Sequence, residues 1–211
     1  MNNYWSRMRP KGECPPRKPI RKILWSGIGA FLGILLLAGL EEAWRAGDRG
    51  ALFLIAPLGA SAVLVFGAPL ADFSQPRNLI GGHMLSAIVG VTTHLAWPHH
   101  MVWASAIAVS SAIVAMHLTR TLHPPGGASA LIAVIGSEPI KSLGYWYVLS
   151  PVLTGAVILL LMALIVNNLS SNPRRHYPVY WFWKAPARAG AGERGALESG
   201  ACAKRLWIRL P

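Results

Sequence analysis

The stretch Thr121–Gly136, TLHPPGGASALIAVIG, joins a polar turn to an apolar helix with nothing between them. Pro124 and Pro125 fix φ and lack N–H groups. They suit the first turn of a helix and stop any helix arriving from upstream. His123 stands before them as a candidate polar cap. Gly126, Gly127, Ala128 and Ser129 have little or no side chain, so the first backbone N–H groups are open to close approach by a ligand or another helix. Leu131–Ile135 then belongs in a protein interior or in lipid.

The same design occurs earlier in the chain. Pro57-Leu-Gly-Ala-Ser-Ala62 matches Pro125-Gly-Gly-Ala-Ser-Ala130 at a constant offset of 68. Each copy runs through aliphatic residues to a glycine, Gly67 or Gly136, and soon to Pro69 or Pro139. Leu85-Ser86 before Gly90 also resembles Leu149-Ser150 before Gly155. These matches predict an internal duplication across most of the apolar region.

Composition sets the class. The 211 residues are 53% hydrophobic and 13% charged, with a mean hydropathy of +0.41. A soluble domain carries about 25% charge, so this is a membrane protein. The net charge of +12 sits at the ends: residues 1–22 hold seven Lys/Arg and one Glu, residues 170–211 hold eight Lys/Arg and two Glu, and 23–169 balances five against five. Basic flanks predict that both termini are cytoplasmic and that the number of crossings is even. The same explanation removes the need for a nucleic-acid partner; the tails can instead touch anionic lipid. Cys14 and Cys202 provide neither a disulfide framework nor a metal quartet. The first apolar run is long and has no evident cleavage site, so it is expected to stay as a helix.

Six apolar runs follow one another: Ile23–Leu40, Ala51–Leu70 with a break at Pro57 and Gly59, Gly81–Trp97, Met101–Leu118, the run after Pro125, and Tyr145–Val166. A charged turn is expected at Glu41–Gly50 and a polar one at Ala71–Leu79. The predicted organisation is a basic tail (1–22), a transmembrane domain (23–169, with repeats of about 23–97 and 102–168), an aromatic and basic interfacial anchor (170–183), and a disordered basic tail (184–211). Tyr145, Trp146 and Tyr147 would form an interfacial belt. The fold class is an all-α polytopic membrane protein with four to six crossings. If all six runs cross, the repeats are three-plus-three and inverted. If the second and fifth are re-entrant, there are four crossings and parallel repeats. The run from Pro125 to Gly136 makes only about 18 Å of helix against a core of roughly 30 Å. That shortness favours broken or half-helices at positions two and five, in an inverted arrangement.

His123-Pro-Pro-Gly-Gly-Ala-Ser129 resembles the signature of the HPP family of integral membrane proteins. Gln75-Pro-Arg-Asn-Leu-Ile-Gly-Gly-His83 is similar to that family's second motif. Pro57-Leu-Gly-Ala-Ser61, and Asn167-Asn-Leu169 followed by Arg175-His-Tyr-Pro-Val-Tyr-Trp181, also fit its pattern, so the resemblance covers about residues 20–183. The family is usually described with four spans, which half-helices would reconcile with six runs. Some relatives carry appended soluble regulatory domains; none is expected after the sixth run here. Plant plastid and cyanobacterial members are associated with nitrite transport, and the resemblance implies that activity as a candidate.

The residues themselves point to a small anion. Each Pro-x-Gly-Ala-Ser turn presents a helix N-terminus with roughly half a positive charge. Transporters with duplicated folds place such ends at the repeat interface. The competing role of these small residues is close helix packing. Pro57, Gly59, Ser61, Pro124, Pro125, Gly126, Gly127 and Ser129 would shape the site. Arg77, with Gln75, Asn78 and His83, would draw anions to its entrance; Arg120 would serve similarly or merely anchor the bundle. His83, His94, His117 and His123 lie in or beside apolar runs, where an ionisable group is a functional candidate. His123 is expected to cap its helix and also to face the site; His99 and His100 belong to a loop. No two of these histidines show the i, i+4 spacing of a helical metal pair, so no metal site is assigned. The sequence contains no Gly-x-Ser-x-Gly, no His-Glu-x-x-His and no carboxylate pair in a run, so no enzyme and no cofactor is expected.

The sequence therefore predicts a carrier or channel for a small solute, a monovalent anion such as nitrite first, in a bacterial plasma membrane. Its partners would be the lipid bilayer and the anion, and a chain this small allows for a homo-oligomer around a pore. The alternatives are a non-transporting scaffold or sensor, and a metal-cation transporter.

Overall fold

The computed structural model describes residues 4–9, 12, 14, 16–46, 54–172 and 175–182. Among the described residues seven α-helices make up the body: α1 (Ile20–Ala46), α2 (Ala56–Gly67), α3 (Pro76–Ala96), α4 (Met101–Leu118), α5 (Pro124–Ile135), the single turn α6 (Glu138–Lys141) and α7 (Thr154–Asn168). Four helical stretches among the described residues are long and apolar enough to cross a membrane: Ile20–Ala43, Pro76–Ala96, Met101–Leu118 and Val148–Asn168. The last of these enters α7 through a π-helical bend at Val148–Leu153, where Ser150 leaves helical geometry (φ −135°, ψ 120°) ahead of Pro151. Pro151 offers no N–H to the helix, so the ladder cannot run straight through it.

The half-helices are α2 and α5. Each has 12 residues, about 18 Å at 1.5 Å per residue. Their bounds repeat the offset of 68 seen in the sequence, Ala56 with Pro124 and Gly67 with Ile135. The expected break inside the second run is instead a helix start. Pro57 is the second helical residue, and the backbone before it is extended at Ile55.

Hydrogen bonds fix the threading. Lys18 Nζ donates to the Gly67 carbonyl (2.8 Å), Trp25 Nε1 to that of Val166 (3.1 Å) and Asn167 Nδ2 to that of Val65 (2.9 Å). The start of α1 and the ends of α2 and α7 thus share one end of the bundle, termed the near end. Arg77 donates to the Arg120 carbonyl, placing the start of α3 and the end of α4 there too. At the far end Thr92 Oγ1 pairs with the Tyr145 hydroxyl at 2.9 Å. The chain runs up, down and up through α1, α2 and α3, then down, up and down through α4, α5 and α7. This is the inverted three-plus-three arrangement, built from four long helices and two short antiparallel ones.

The closest packing is between α3 and α5, and its cause is glycine. A Cβ on Gly90 would run into the Ala130 carbonyl, and one on Gly126 would lie 2.8 Å from the Gly82 carbonyl oxygen. Ala104, Ala108 and Ala112, four apart on α4, bring that helix against Ala130 and Val134. Apolar clusters then join α1, α2 and α7 around Phe66 and Leu159, and the far half around Leu58, Val91 and Val152.

Four local expectations are corrected. Helix α1 continues to Ala46, so Glu41 and Glu42 are helical rather than in a turn; Glu41 Oε2 instead accepts the Leu54 N–H at 2.9 Å. Pro76–Leu79 opens α3 rather than ending a loop, because proline suits the first helical position. Leu85-Ser86 lies in regular helix while Leu149-Ser150 lies in the bend, so that part of the repeat has no matching backbone. The segment from Arg175 to Phe182 runs as a strap against the near end of the bundle. Arg175 and Tyr177 are buried in it, the Tyr177 hydroxyl donates to the Ser74 carbonyl at 2.7 Å, and the Val179 N–H donates to Gln75 Oε1 at 2.8 Å. Burial pushes the Tyr177 phenol up, which keeps it a donor. Trp181 and Phe182 point outward, as do Tyr145 and Trp146, whereas Tyr147 is 1% exposed and belongs to the core. Cys202 and the residues from 183 onward lie outside the described residues.

Candidate functional site

Ser61 on α2, His83 on α3, His123 before α5 and Ser129 on α5 meet in the middle of the fold. All four have 0% relative exposure. Ser61 Oγ lies 2.7 Å from His83 Nε2 and 2.8 Å from His123 Nε2. Ser129 Oγ lies 2.7 Å from His83 Nδ1, and His123 Nδ1 lies 2.7 Å from the Phe73 carbonyl oxygen. The two imidazoles are tilted by 60° with centroids 4.8 Å apart.

Proton positions follow from one fixed group. The Phe73 carbonyl can only accept, so His123 Nδ1 carries a hydrogen and donates to it. With His123 neutral, its Nε2 accepts from the Ser61 hydroxyl. Ser61 then has no hydrogen left for His83, so His83 Nε2–H donates to Ser61 Oγ, and His83 Nδ1 accepts from the Ser129 hydroxyl. The result is a one-way chain from Ser129 through His83, Ser61 and His123 to Phe73, with each link satisfied and both histidines neutral.

The same heavy-atom geometry accepts one more proton. Ser61 Oγ is also 3.1 Å from the Pro57 carbonyl oxygen, one turn back on α2. If the Ser61 hydroxyl rotates to donate there, its oxygen can accept from both histidines, and His123 then carries hydrogen on both nitrogens. A single rotor thus links an uncharged and a cationic state. The cationic state places a charge where no described carboxylate faces it, and a buried charge of that kind is costly unless a counter-ion comes with it.

The sequence-predicted residues divide sharply around this chain. Ser61, Ser129, His83 and His123 are united. Pro57 contributes its carbonyl. Pro124 and Pro125 start α5, and Gly126 lets α5 approach α3; Gly127 is buried, with only Val109 near its missing Cβ. Gly59 faces outward, and a Cβ there would touch nothing within 4 Å. His123 occupies the N-cap position without capping, because its ring is engaged with Ser61 and Phe73. The helix ends have little N–H capacity to offer an anion. Pro124, Pro125 and Pro57 have no N–H, Gly126 gives its own to the His123 carbonyl (2.8 Å), and Leu58 gives its own to that of Ile55 (2.9 Å). Gln75 is structural: its amide donates to the Pro69 and Ala71 carbonyls and accepts from the strap. Arg77 sits at the near end, its guanidinium 6.0 Å from the Tyr180 ring centre, and it borders an apolar cleft with Gly81, Thr121 and Phe182. Asn78 Nδ2 donates to the Leu122 carbonyl at 2.8 Å. His94, His99, His100 and His117 lie apart from the cluster. Among the described residues no group of three His, Cys, Asp or Glu side chains is placed to hold a metal.

Sequence reasoning missed three contributors. Tyr147 donates to the Ser129 carbonyl at 3.0 Å and braces α5. Ser86 is fully buried, and among the described residues its hydroxyl has no hydrogen-bond partner, as is true of Asn78 Oδ1. Ser86 lies three residues after His83 on α3, a spacing that puts both on one face. The third, the Phe73 carbonyl, leaves no mark in the sequence.

Fold and site together define a polytopic α-helical membrane protein in which two inverted half-helices enclose a buried serine–histidine chain. The chain belongs to the HPP family: a family model for the HPP transmembrane region matches residues 15–178. Two transmembrane proteins of Dictyostelium discoideum are similar to it, one 42% identical over 182 residues (85% of this chain, 57% of the relative) and one 43% identical over 175 residues (82% and 60%). The chain thus spans less than two thirds of the length of these relatives. No solved structure matches it.

Proposed function

We propose that this protein is a carrier that moves a small monovalent anion together with a proton, nitrite being the first candidate from the family resemblance. The observation that supports this most is Ser61 bridging two buried histidines while retaining a second acceptor at Pro57. Loading a proton makes the chain cationic, and the charge is then best neutralised by an anion arriving with it. Neither species is favoured alone in a dry interior, which is the physical basis of coupled movement.

Complete burial of the four side chains favours a carrier over a static channel. Access would come from relative movement of the inverted repeats around His83, as in other duplicated transporters. The apolar cleft beside Arg77, about 420 Å³ in volume, would serve as the near-end approach. The basic flanks support a cytoplasmic near end.

The test is uptake into liposomes containing the purified protein. Nitrite entry that saturates and is driven by a proton gradient supports the proposal. Failure of folded, inserted protein to move nitrite or any related anion overturns it.

A further inference from the structure

The near end carries two clefts that share Lys22 and Arg175. One, about 410 Å³, is bordered by Arg21, Ser170 and Ser171 on its polar side and by Trp25 and Leu169 on its apolar side. The other, about 240 Å³, runs between Lys18, Ser26 and the segment after α2. No described Asp or Glu lines either one.

Arg175 lies between them at 5% exposure. Its Nη2 donates to the Phe66 carbonyl (2.8 Å) and to Asn167 Oδ1 (3.1 Å), and its Nη1 donates to Ser26 Oγ (3.1 Å) and to the Lys22 carbonyl (3.4 Å), so both ends of the fork are engaged within the protein. Its Nε is buried without a hydrogen-bond partner among the described residues. Lys18 binds the neighbouring Gly67 carbonyl, so two cations already cap the negative end of the α2 dipole. A half-helix offers about half a unit of negative charge, leaving the group formed with Arg21 and Lys22 in marked positive excess.

We infer that this double cleft is a binding site for the phosphate of an anionic phospholipid, held by Arg21 and Lys22 with the Ser170 and Ser171 hydroxyls in front of the fixed charge of Arg175, its acyl chains leaving over Trp25 and Leu169. The juxtaposition that selects a lipid over a soluble phosphate is the apolar wall, set where α1 and α7 reach the same end of the bundle. Serine hydroxyls and an arginine fork such as that of Arg21 suit phosphate oxygens, and clustered basic residues beside a membrane helix suit anionic headgroups. The inference is independent of the proposed transport site, since lipid retention is measured without any transport.

Native mass spectrometry of the full chain in detergent, with equimolar phosphatidylglycerol and phosphatidylcholine, tests it. The wild type should retain phosphatidylglycerol preferentially, by about tenfold or more, and Arg21→Gln/Lys22→Gln should abolish most of that preference. These two residues are exposed or half-buried, so the double variant should fold; Arg175→Lys, which keeps the charge but loses the fork, should weaken retention less. Displacement of the lipid by excess inorganic phosphate would identify a soluble ligand and overturn the lipid assignment. Equal retention of the two lipids, or an unchanged preference in the double variant, would overturn the site and leave Arg175 as a cap on α2.

Discussion

Ser61 and Ser129 occupy equivalent positions in two antiparallel half-helices and bind opposite nitrogens of one imidazole, that of His83, each at 2.7 Å. The duplication of the chain therefore converges on a single side chain. His83 sits where the two repeats meet, and any relative movement of α2 and α5 must stretch one of these two bonds.

Replacing either serine removes a polar partner that the buried ring needs. Ser61→Ala should destabilise the protein more than Ser129→Ala, because it leaves both His83 Nε2 and His123 Nε2 unsatisfied. Losses of about 1–3 kcal/mol per stranded group are expected. Thermal melts in detergent check the order; equal melts for the two variants and wild type would contradict the hydrogen-bond assignment.

Proton coupling predicts a direction with pH. Uptake by the wild type should rise as the outer solution is acidified, because the cationic state then fills from outside. His123→Gln cannot take up that proton and should transport little, or transport with no dependence on the gradient. A His123→Gln variant with an unchanged pH profile would remove His123 from the proton path.

The glycines of the half-helices and of the α3 face packed against α5 should separate by function. Gly59→Ala meets open space and should fold normally, with a gain of up to about 1 kcal/mol from reduced chain freedom. Gly90→Ala and Gly126→Ala push a methyl group into the facing backbone and should cost about 1–3 kcal/mol or more. Matching melting temperatures for all three would mean that α3 and α5 are not packed this closely.

Arg120 carries the one positive φ (56°) found at a non-glycine residue among those described. It ends α4 with the Thr121 N–H donating to the Met116 carbonyl (2.9 Å) and its own N–H to that of His117 (3.1 Å), a motif that normally takes glycine. Arg120→Gly should raise stability by several tenths of a kcal/mol up to about 1 kcal/mol. If its charge also draws anions in, the same variant should raise the KM for uptake; an unchanged KM would leave Arg120 a purely structural terminator.

How much of this was legible in the sequence depended on whether the signal was local. The apolar runs and the offset between Pro57 and Pro125 gave the half-helices, since proline at a helix start is a local rule. Basic flanks gave both ends of the helical body on one side. The union of Ser61, His83, His123 and Ser129 was only partly visible. All four stand in motifs, yet the bridging by Ser61 depends on α2 running antiparallel to α5, a tertiary fact. Gln75 and Asn78 looked like site donors because they neighbour Arg77, but their amides are consumed by loop carbonyls. Tyr147 looked like an interfacial aromatic because Tyr145 and Trp146 flank it, and only the turn before the Ser150 bend sends it inward. The Phe73 carbonyl that fixes the proton pattern is backbone, which no residue type announces.

The most direct test is nitrite entry into liposomes bearing wild type or Ser61→Ala protein, each shown to be folded and inserted, with and without an inward proton gradient. Wild type should give saturable entry that the gradient accelerates. Ser61→Ala, or Ser61→Thr if the alanine variant does not fold, should report on the rotor: alanine should abolish the acceleration, and threonine, which keeps the hydroxyl, should retain part of it. Gradient-driven entry undiminished in Ser61→Ala, or no entry in wild type, would contradict the coupled carrier built on the buried serine–histidine chain.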